Sequence, residues 1–263
     1  MGGDIFSQRE LRRYSRQIII PEFGVEGQEK LKNAKVLVIG AGGLGCPVLQ
    51  YLTAAGAGKV GLAEFDMVSE SNLPRQVLYG SDDVGKLKSV IAKNRLEHLN
   101  SQVESEIFNL RIDSGNSLRI LKDFDVIVDA TDNFETRYII SDSCVILNKP
   151  MVHGAIYKFE GQVSVFNYRN GPTYRCYNPQ IDDSDFKNPS PGEVGLLGVL
   201  PGITGCLMAN EVIKIITGIG NVLNGKVLLF NILNNFFHLI TVKNIPENHN
   251  IRELGGSYEN KIK

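Results

Sequence analysis

The stretch Lys35-Val-Leu-Val-Ile-Gly-Ala-Gly-Gly-Leu-Gly45 decides how this chain folds. An apolar run that suits a buried strand ends on glycines at 40, 42, 43 and 45, and a helical segment, Leu44 to Ala55, takes over there. Gly40 permits the tight turn out of the strand, Gly42 lets backbone approach a phosphate, and Gly45 lets the helix pack closely on the sheet. The helix N-terminus then presents free N–H groups and the positive end of its dipole to an anion, with no side chain required. Taken alone, the pattern suits a dehydrogenase and a non-redox nucleotide enzyme equally.

Working outward, Gly56-Ala-Gly58 closes the helix and Val60-Gly-Leu-Ala-Glu-Phe65 supplies a second strand, which completes a βαβ unit. A helix over Lys86 to Asn100 and strands over Val103 to Phe108 and Phe124 to Ala130 follow. The expectation is an α/β fold: a doubly wound, Rossmann-like, mostly parallel sheet. Beyond Met151 the pattern alternates, and Gly161 to Asn167, Lys226 to Asn231 and Phe236 to Val242 continue the sheet as antiparallel strands. A helix over Gly205 to Thr217 stops at Gly218. Ser7-x-x-Glu10 reads as a capping box opening a short helix that carries Arg12, Arg13 and Arg16. Gly24 and Gly27 read as loop, Asn178 to Gly192 as a mobile surface loop, and Asn248 to Lys263 as a flexible tail.

With 263 residues the chain can bury a large core without disulfides or metals. Its 28 basic and 29 acidic residues leave a net charge of -1, so nothing in the overall charge points to nucleic acid or a membrane surface. No apolar run approaches the roughly 20 residues of a membrane span, and Met1-Gly-Gly-Asp-Ile-Phe-Ser lacks a signal-peptide core, so a cytoplasmic location is expected. Cys46, Cys144, Cys176 and Cys206 are scattered without a C-x-x-C pair, as reduced thiols would be.

Glu64, about 20 positions beyond the glycines, stands where an acidic residue holds ribose hydroxyls in NAD or ATP sites. Ser71-Asn-Leu-Pro-Arg-Gln76 and Gly85-Lys-Leu-Lys88 then tip the balance toward a triphosphate. Arg75 and Lys88 can neutralise β and γ oxygens, with Asn72 hydrogen-bonding nearby and Gln76 in support; the bland alternative is a solvated surface. In Ala130-Thr-Asp-Asn133, Asp132 suits a magnesium ion bridging the phosphates, with helix capping as its alternative role.

These segments, with Arg13-Tyr-Ser-Arg-Gln-Ile18, Glu64-Phe-Asp66, Gly154, Glu160-Gly-Gln162 and Leu197-Gly-Val-Leu-Pro-Gly202, resemble the bacterial ubiquitin-activating-enzyme-like family. That family includes the molybdopterin-synthase and thiamine-pathway adenylyltransferases, and the resemblance spans roughly Leu11 to Val242. It implies ATP-dependent adenylation of the C-terminal glycine of a small ubiquitin-like sulfur-carrier protein ending in Gly-Gly, giving an acyl-adenylate and pyrophosphate. A carboxylate already ionised at neutral pH needs no general base, so charge control by Mg²⁺, Arg75 and Lys88 is the catalytic task. By similarity Gly43, Asp66 and Asn133 join the nucleotide-binding residues, and Arg16 reaches the other subunit's ATP site in a homodimer; its plain alternative is a helix-surface charge. Residues 1–247 would form one adenylyltransferase domain, with a nucleotide-binding half at about 30–150 and a carrier-binding half at about 151–247.

The chain departs from the family pattern in three places. Many relatives bind structural zinc through two C-x-x-C pairs; here Thr173-Tyr-Arg-Cys176 keeps one cysteine and Asn244 to Asn250 none, so no zinc is expected. A cysteine that relatives often place before Glu193-Val-Gly195 is replaced by Pro191, which excludes covalent chemistry there and favours a separate sulfurtransferase. Cys176 reads as a packing residue with no sign of an activated thiolate, and His249 as solvent-facing. Glu64 stands where Asp is usual. Two other readings stand beside this one: an NAD-dependent oxidoreductase, and a non-catalytic scaffold for a ubiquitin-like protein.

Overall fold

Val36 and Val38 face one side of the first strand and Leu37 and Ile39 the other; all four are buried, so helices must cover both faces of the sheet. A computed structural model describes residues 5–179 and 195–255. In chain order the elements are α1 (Gln8–Ile18), α2 (Gly24–Asn33), β1 (Lys35–Ile39), α3 (Gly45–Ala55), β2 (Lys59–Ala63), α4 (Lys88–Leu99), β3 (Glu104–Phe108) and α5 (Ser117–Leu121). There follow β4 (Val126–Asp129), α6 (Phe134–Leu147), β5 (Met151–Tyr157), β6 (Glu160–Phe166), α7 (Tyr174–Tyr177), α8 (Val199–Thr217), β7 (Lys226–Asn231) and β8 (Phe236–Thr241).

The eight strands form one sheet in the order β3-β2-β1-β4-β5-β6-β7-β8. The first five pair in parallel; β6, β7 and β8 add on antiparallel. The order reverses between β1 and β4, which opens a crevice at the C-terminal ends of those strands. One core gathers Val36, Val38, Leu49, Leu52, Met208 and Val212 on the α3 and α8 side; a second gathers Leu37, Ile39, Ile127, Ile139 and Cys144 on the α5 and α6 side.

The Ser7–Glu10 capping box forms as expected, and Gly56 and Gly218 end their helices with φ of 89° and 79°. Two expectations need correction. Gly24 and Gly27 are not loop: Gly24, at φ 58°, opens α2, and Gly27 lies within it against the Phe23 ring. The last long helix begins at Val199, six residues before the expected start, because Pro201 in its first turn needs no N–H partner. That helix is apolar and long enough by composition to cross a membrane, yet it packs on α3, β5 and β6 with Leu200, Met208 and Val212 fully buried. Residues 180–194, which hold most of the expected surface loop together with Pro191 and Glu193, and the tail residues 256–263 lie outside the described residues.

Candidate nucleotide site

The site grows from the β1–α3 turn. Gly40 sits at φ 96°, where a Cβ would come 2.8 Å from the Ala130 carbonyl oxygen, and at Gly45 a Cβ would overlap the Gly40 carbonyl. Only glycine fits either position. At Gly43 a Cβ would meet Pro201 Cβ at 2.9 Å, so this glycine lets α8 close on the turn; Gly42 faces the Gln76 amide. Among the described residues no side chain caps the start of α3; the Cys46 N–H bonds to the Gly42 carbonyl at 3.0 Å, and the N–H groups of the glycine turn before it are left for an anion.

Glu64 is buried at the end of β2. Its Oε2 accepts the Ala41 N–H at 2.8 Å, and its Oε1 accepts those of Phe65 and Asp66, each at 2.8 Å. The longer arm therefore curls back to staple the turn to β2. Lys88 opens α4 with its side chain only 5% exposed, and its Nζ donates to the exposed Asp66 carboxylate at 3.2 Å. Both Lys88 and Glu64 lie close enough to act on Cys46 in the first turn of α3, whose thiol burial pushes up to about 12. Tyr79 closes the floor by donating to the Ala41 carbonyl at 3.0 Å.

A single 3-10 turn, Glu70–Asn72, brings in the next group. The Asn72 carbonyl accepts the N–H groups of Arg75 and Gln76, each at 3.0 Å, and Arg75 Nη1 donates to the Ser71 carbonyl at 2.9 Å. Gln76 is 5% exposed, and its buried Oε1 has no partner among the described residues. Across the crevice, the Ala130 N–H extends the β1–β4 pairing and places Asp132 on the loop beside the glycine turn. Asn133, rather than Asp132, caps α6, taking the Thr136 N–H at 2.9 Å; the Asp132 carboxylate is left exposed. An exposed carboxylate oxygen next to a phosphate-binding turn could share a hard, partly hydrated divalent cation with the bound phosphates.

Arg16 does not join this group within one chain. It is exposed on α1, whose Tyr14 packs on Gly56 and whose Gln17 donates to the Ala55 carbonyl at 3.1 Å, at the far end of α3. Eleven helical residues, about 16 Å at 1.5 Å each, separate that end from the glycine turn.

Two features escaped the sequence reading. The first is a trio, the buried Asp129 and His153 with a partly buried Arg137. His153 Nδ1 lies 2.7 Å from Asp129 Oδ2, with Arg137 Nε 4.0 Å from the same oxygen. Burial pushes the Asp129 carboxyl up, but His153, Arg137 and Thr131 outweigh it and hold it below the ordinary carboxylate value. Burial pulls His153 down further than Asp129 raises it, so the ring is neutral and donates from Nδ1. The signal was faint: an Asp ending a buried strand.

The second is the hydrogen-bonded setting of Cys176. Its Sγ accepts the Ile245 N–H and the Asn248 side-chain amide, each at 3.4 Å, with the Thr173 hydroxyl at the same distance. Burial alone would raise this thiol, yet these contacts bring it below its ordinary value. His249 Nε2 lies 2.9 Å from Asn244 Oδ1. Among the described residues no group of three or more His, Cys, Asp or Glu is placed to hold a metal, and one sulfur ringed by amide and hydroxyl groups does not fit a tetrahedral zinc.

Fold and site together define a nucleotide-binding α/β protein with its ligand crevice at the switch point of a doubly wound sheet. The chain belongs to the ThiF family, whose model matches residues 14–251. It is 49% identical over 252 residues to the sulfur carrier protein adenylyltransferase of Thermus thermophilus, covering 92% of this chain and 90% of that one. The probable adenylyltransferase/sulfurtransferase MoeZ of Mycobacterium tuberculosis is 44% identical over 253 residues; the match takes 94% of this chain but 64% of that longer protein. Among solved structures, E. coli MccB with ATP superposes with a TM-score of 0.80 at 25% identity, covering 94% of this chain and 74% of that one.

Proposed function

We propose that this protein adenylates the C-terminal glycine of a small ubiquitin-like sulfur-carrier protein, consuming ATP and releasing pyrophosphate, for sulfur transfer in molybdopterin or thiamine biosynthesis. The observation that carries the reading is Lys88, a buried lysine whose one ion-pair partner among the described residues is the exposed Asp66, beside an uncapped helix start. Burying an ammonium is costly unless a strong anion compensates, and a triphosphate on the glycine turn supplies one.

In this reading the α3 N-terminus and Gly42 bind phosphate backbone-first, Glu64 orients the nucleoside through its ribose, and Asn72 hydrogen-bonds near the β and γ oxygens. The carrier's terminal carboxylate attacks the α-phosphorus: a C–O–P bond forms, the α–β bridging P–O bond breaks, and the electron pair leaves on pyrophosphate. Arg75 and Lys88 screen the two anions as they meet and stabilise the leaving group. Asp132 would hold Mg²⁺, which when bound shares the phosphate charge. By its resemblance to the family Arg16 acts in the site of a second copy in a homodimer, a role compatible with its place a helix length from its own glycine turn. The open face of β7 and β8, where Phe237 is 57% and Leu239 49% exposed, docks the carrier's body. A cytoplasmic setting and a separate sulfurtransferase complete the proposal.

ATP–pyrophosphate exchange measured against a panel of Gly-Gly-ending carriers tests it. Exchange should require one cognate carrier, and Asp132→Ala should abolish it without loss of folding. NAD binding in place of ATP, or normal exchange in that variant, contradicts the assignment.

A further inference from the structure

Asp132 is exposed, yet the loop beneath it is held from three sides. Asp129 and His153 are register partners on the parallel strands β4 and β5, so their side chains meet below the loop. Asp129 Oδ1 accepts both the N–H of Thr131 at 3.1 Å and its hydroxyl at 2.6 Å. Arg137 on α6 donates from Nη2 to the Thr131 carbonyl at 2.9 Å. Thr131 is thereby gripped at its amide, side chain and carbonyl, and Asn133 is fixed by its capping bond. The other Asp129 oxygen accepts from His153 Nδ1 at 2.7 Å, while Arg137 Nε stands 4.0 Å away. Asp129 is fully buried, so losing the His153 donor would leave half of a buried carboxylate to turn toward Arg137 and release Thr131. His153 Nε2 is buried without a partner among the described residues, and the ring rests 5.0 Å from Tyr174 and 5.9 Å from Phe166 between centroids.

We propose that His153 is a positioning residue: by donating to Asp129 it fixes the Thr131–Asn133 loop on which Asp132 stands, and so sets the affinity of the nucleotide site for the divalent cation that accompanies ATP. The proposal rests on the assignment of Asp132 made above. It assigns His153 no contact with substrate; its action runs through Asp129 and Thr131.

Isothermal titration of ATP into the full chain, once with saturating Mg²⁺ and once in EDTA, separates this role from simple packing. His153→Leu removes the donor, whereas His153→Asn places an amide N–H where Nδ1 stood; both lose the ring's contacts with Tyr174 and Phe166. His153→Leu should lose about tenfold or more of the Mg²⁺-dependent gain in ATP affinity, the usual effect of removing an outer partner of a metal ligand, with EDTA binding unchanged. His153→Asn should restore most of that gain. Thr131→Val, which removes the grip at its half-buried loop end, should act like His153→Leu and covers the case in which the latter does not fold. The proposal is overturned if His153→Leu or Thr131→Val keeps the Mg²⁺ gain, if His153→Asn behaves like His153→Leu, or if affinity falls equally in EDTA. Failure of the unaltered chain to bind ATP would overturn the nucleotide reading as well. An intact Mg²⁺ gain in both the unaltered chain and His153→Leu overturns the His153 role alone.

Discussion

Gly45→Ala puts the steric logic of the nucleotide turn to its hardest test, because two effects of opposite sign compete there. Gly45 is the first residue of α3, and replacing a helical glycine with alanine ordinarily stabilises by about 0.5–1 kcal/mol. Here the new Cβ would lie 2.9 Å from the Gly40 carbonyl carbon and closer still to its oxygen. Ordinary carbon contacts lie at about 3.5–4.0 Å, so the helix start must back away by about 0.6 Å or more. Nothing nearby can give: the obstructing atoms are backbone, Gly40 is pinned by its bond to Ala63, and Leu49 and Leu52 of α3 are fully buried. Overpacking of this kind costs about 1–3 kcal/mol, which exceeds the propensity gain. Gly45→Ala should therefore lose about 1–2 kcal/mol in urea unfolding and bind ATP more weakly. Gly202→Ala is the control: Gly202 lies inside α8, and among the described residues no atom outside its own helix backbone lies within 4 Å of its Cβ position, so it should gain stability. A Gly45→Ala protein with an unchanged urea midpoint and ATP affinity would refute the argument.

Three further outcomes are expected. Arg16→Ala and Lys88→Met should each be inactive in exchange, but a mixture of the two should regain about a quarter of full activity, since half the dimers are mixed and each mixed dimer has one intact site; no recovery would place Arg16 outside a shared site. Stability should fall in acid, because His153 and Asp129 both hold protons less readily in the fold than their ordinary values of 6.5 and 3.8. The unfolded chain takes up the histidine proton first as pH drops below about 6.5, so stability present above that value is lost below it. The urea midpoint should fall between about pH 7.5 and about pH 5.5, and by less in His153→Asn; equal falls would refute the linkage. Iodoacetamide should alkylate Cys176 before Cys206, although Cys206 is the more exposed, since polar contacts lower the first thiol while local desolvation raises the second; mass-spectrometric mapping that finds Cys206 first would contradict this.

The parallel half of the fold was legible because its signals are local. An apolar run ending on glycines needs no distant partner to be read, and Gly56 announced the end of α3. What failed to show was tertiary. Gly27 looks like a helix breaker until Phe23 packs on it, and the start of α8 looks like loop until Gly43 makes room for Pro201. The same division holds in the site. Arg75, Lys88 and Asp132 could be proposed from sequence because each stands in a short local motif, whereas Asp129 and His153, 24 positions apart, meet only because β4 and β5 pair in register.

Glu64 shows how one extra methylene redistributes work within an otherwise legible motif. A carboxylate offers about four lone-pair sites. Three are taken here by backbone N–H groups from two different segments, Ala41 on the glycine turn and Phe65 with Asp66 at the end of β2. One site, on Oε2, remains. On the proposed reading Glu64 can accept one ribose hydroxyl, not two, and its larger contribution is to hold the glycine turn in register with β2. Asp66 is engaged otherwise, its exposed carboxylate facing the buried ammonium of Lys88. On that reading the acidic pair divides its labour: Glu64 shapes the glycine turn and Asp66 holds the Lys88 cation beside it.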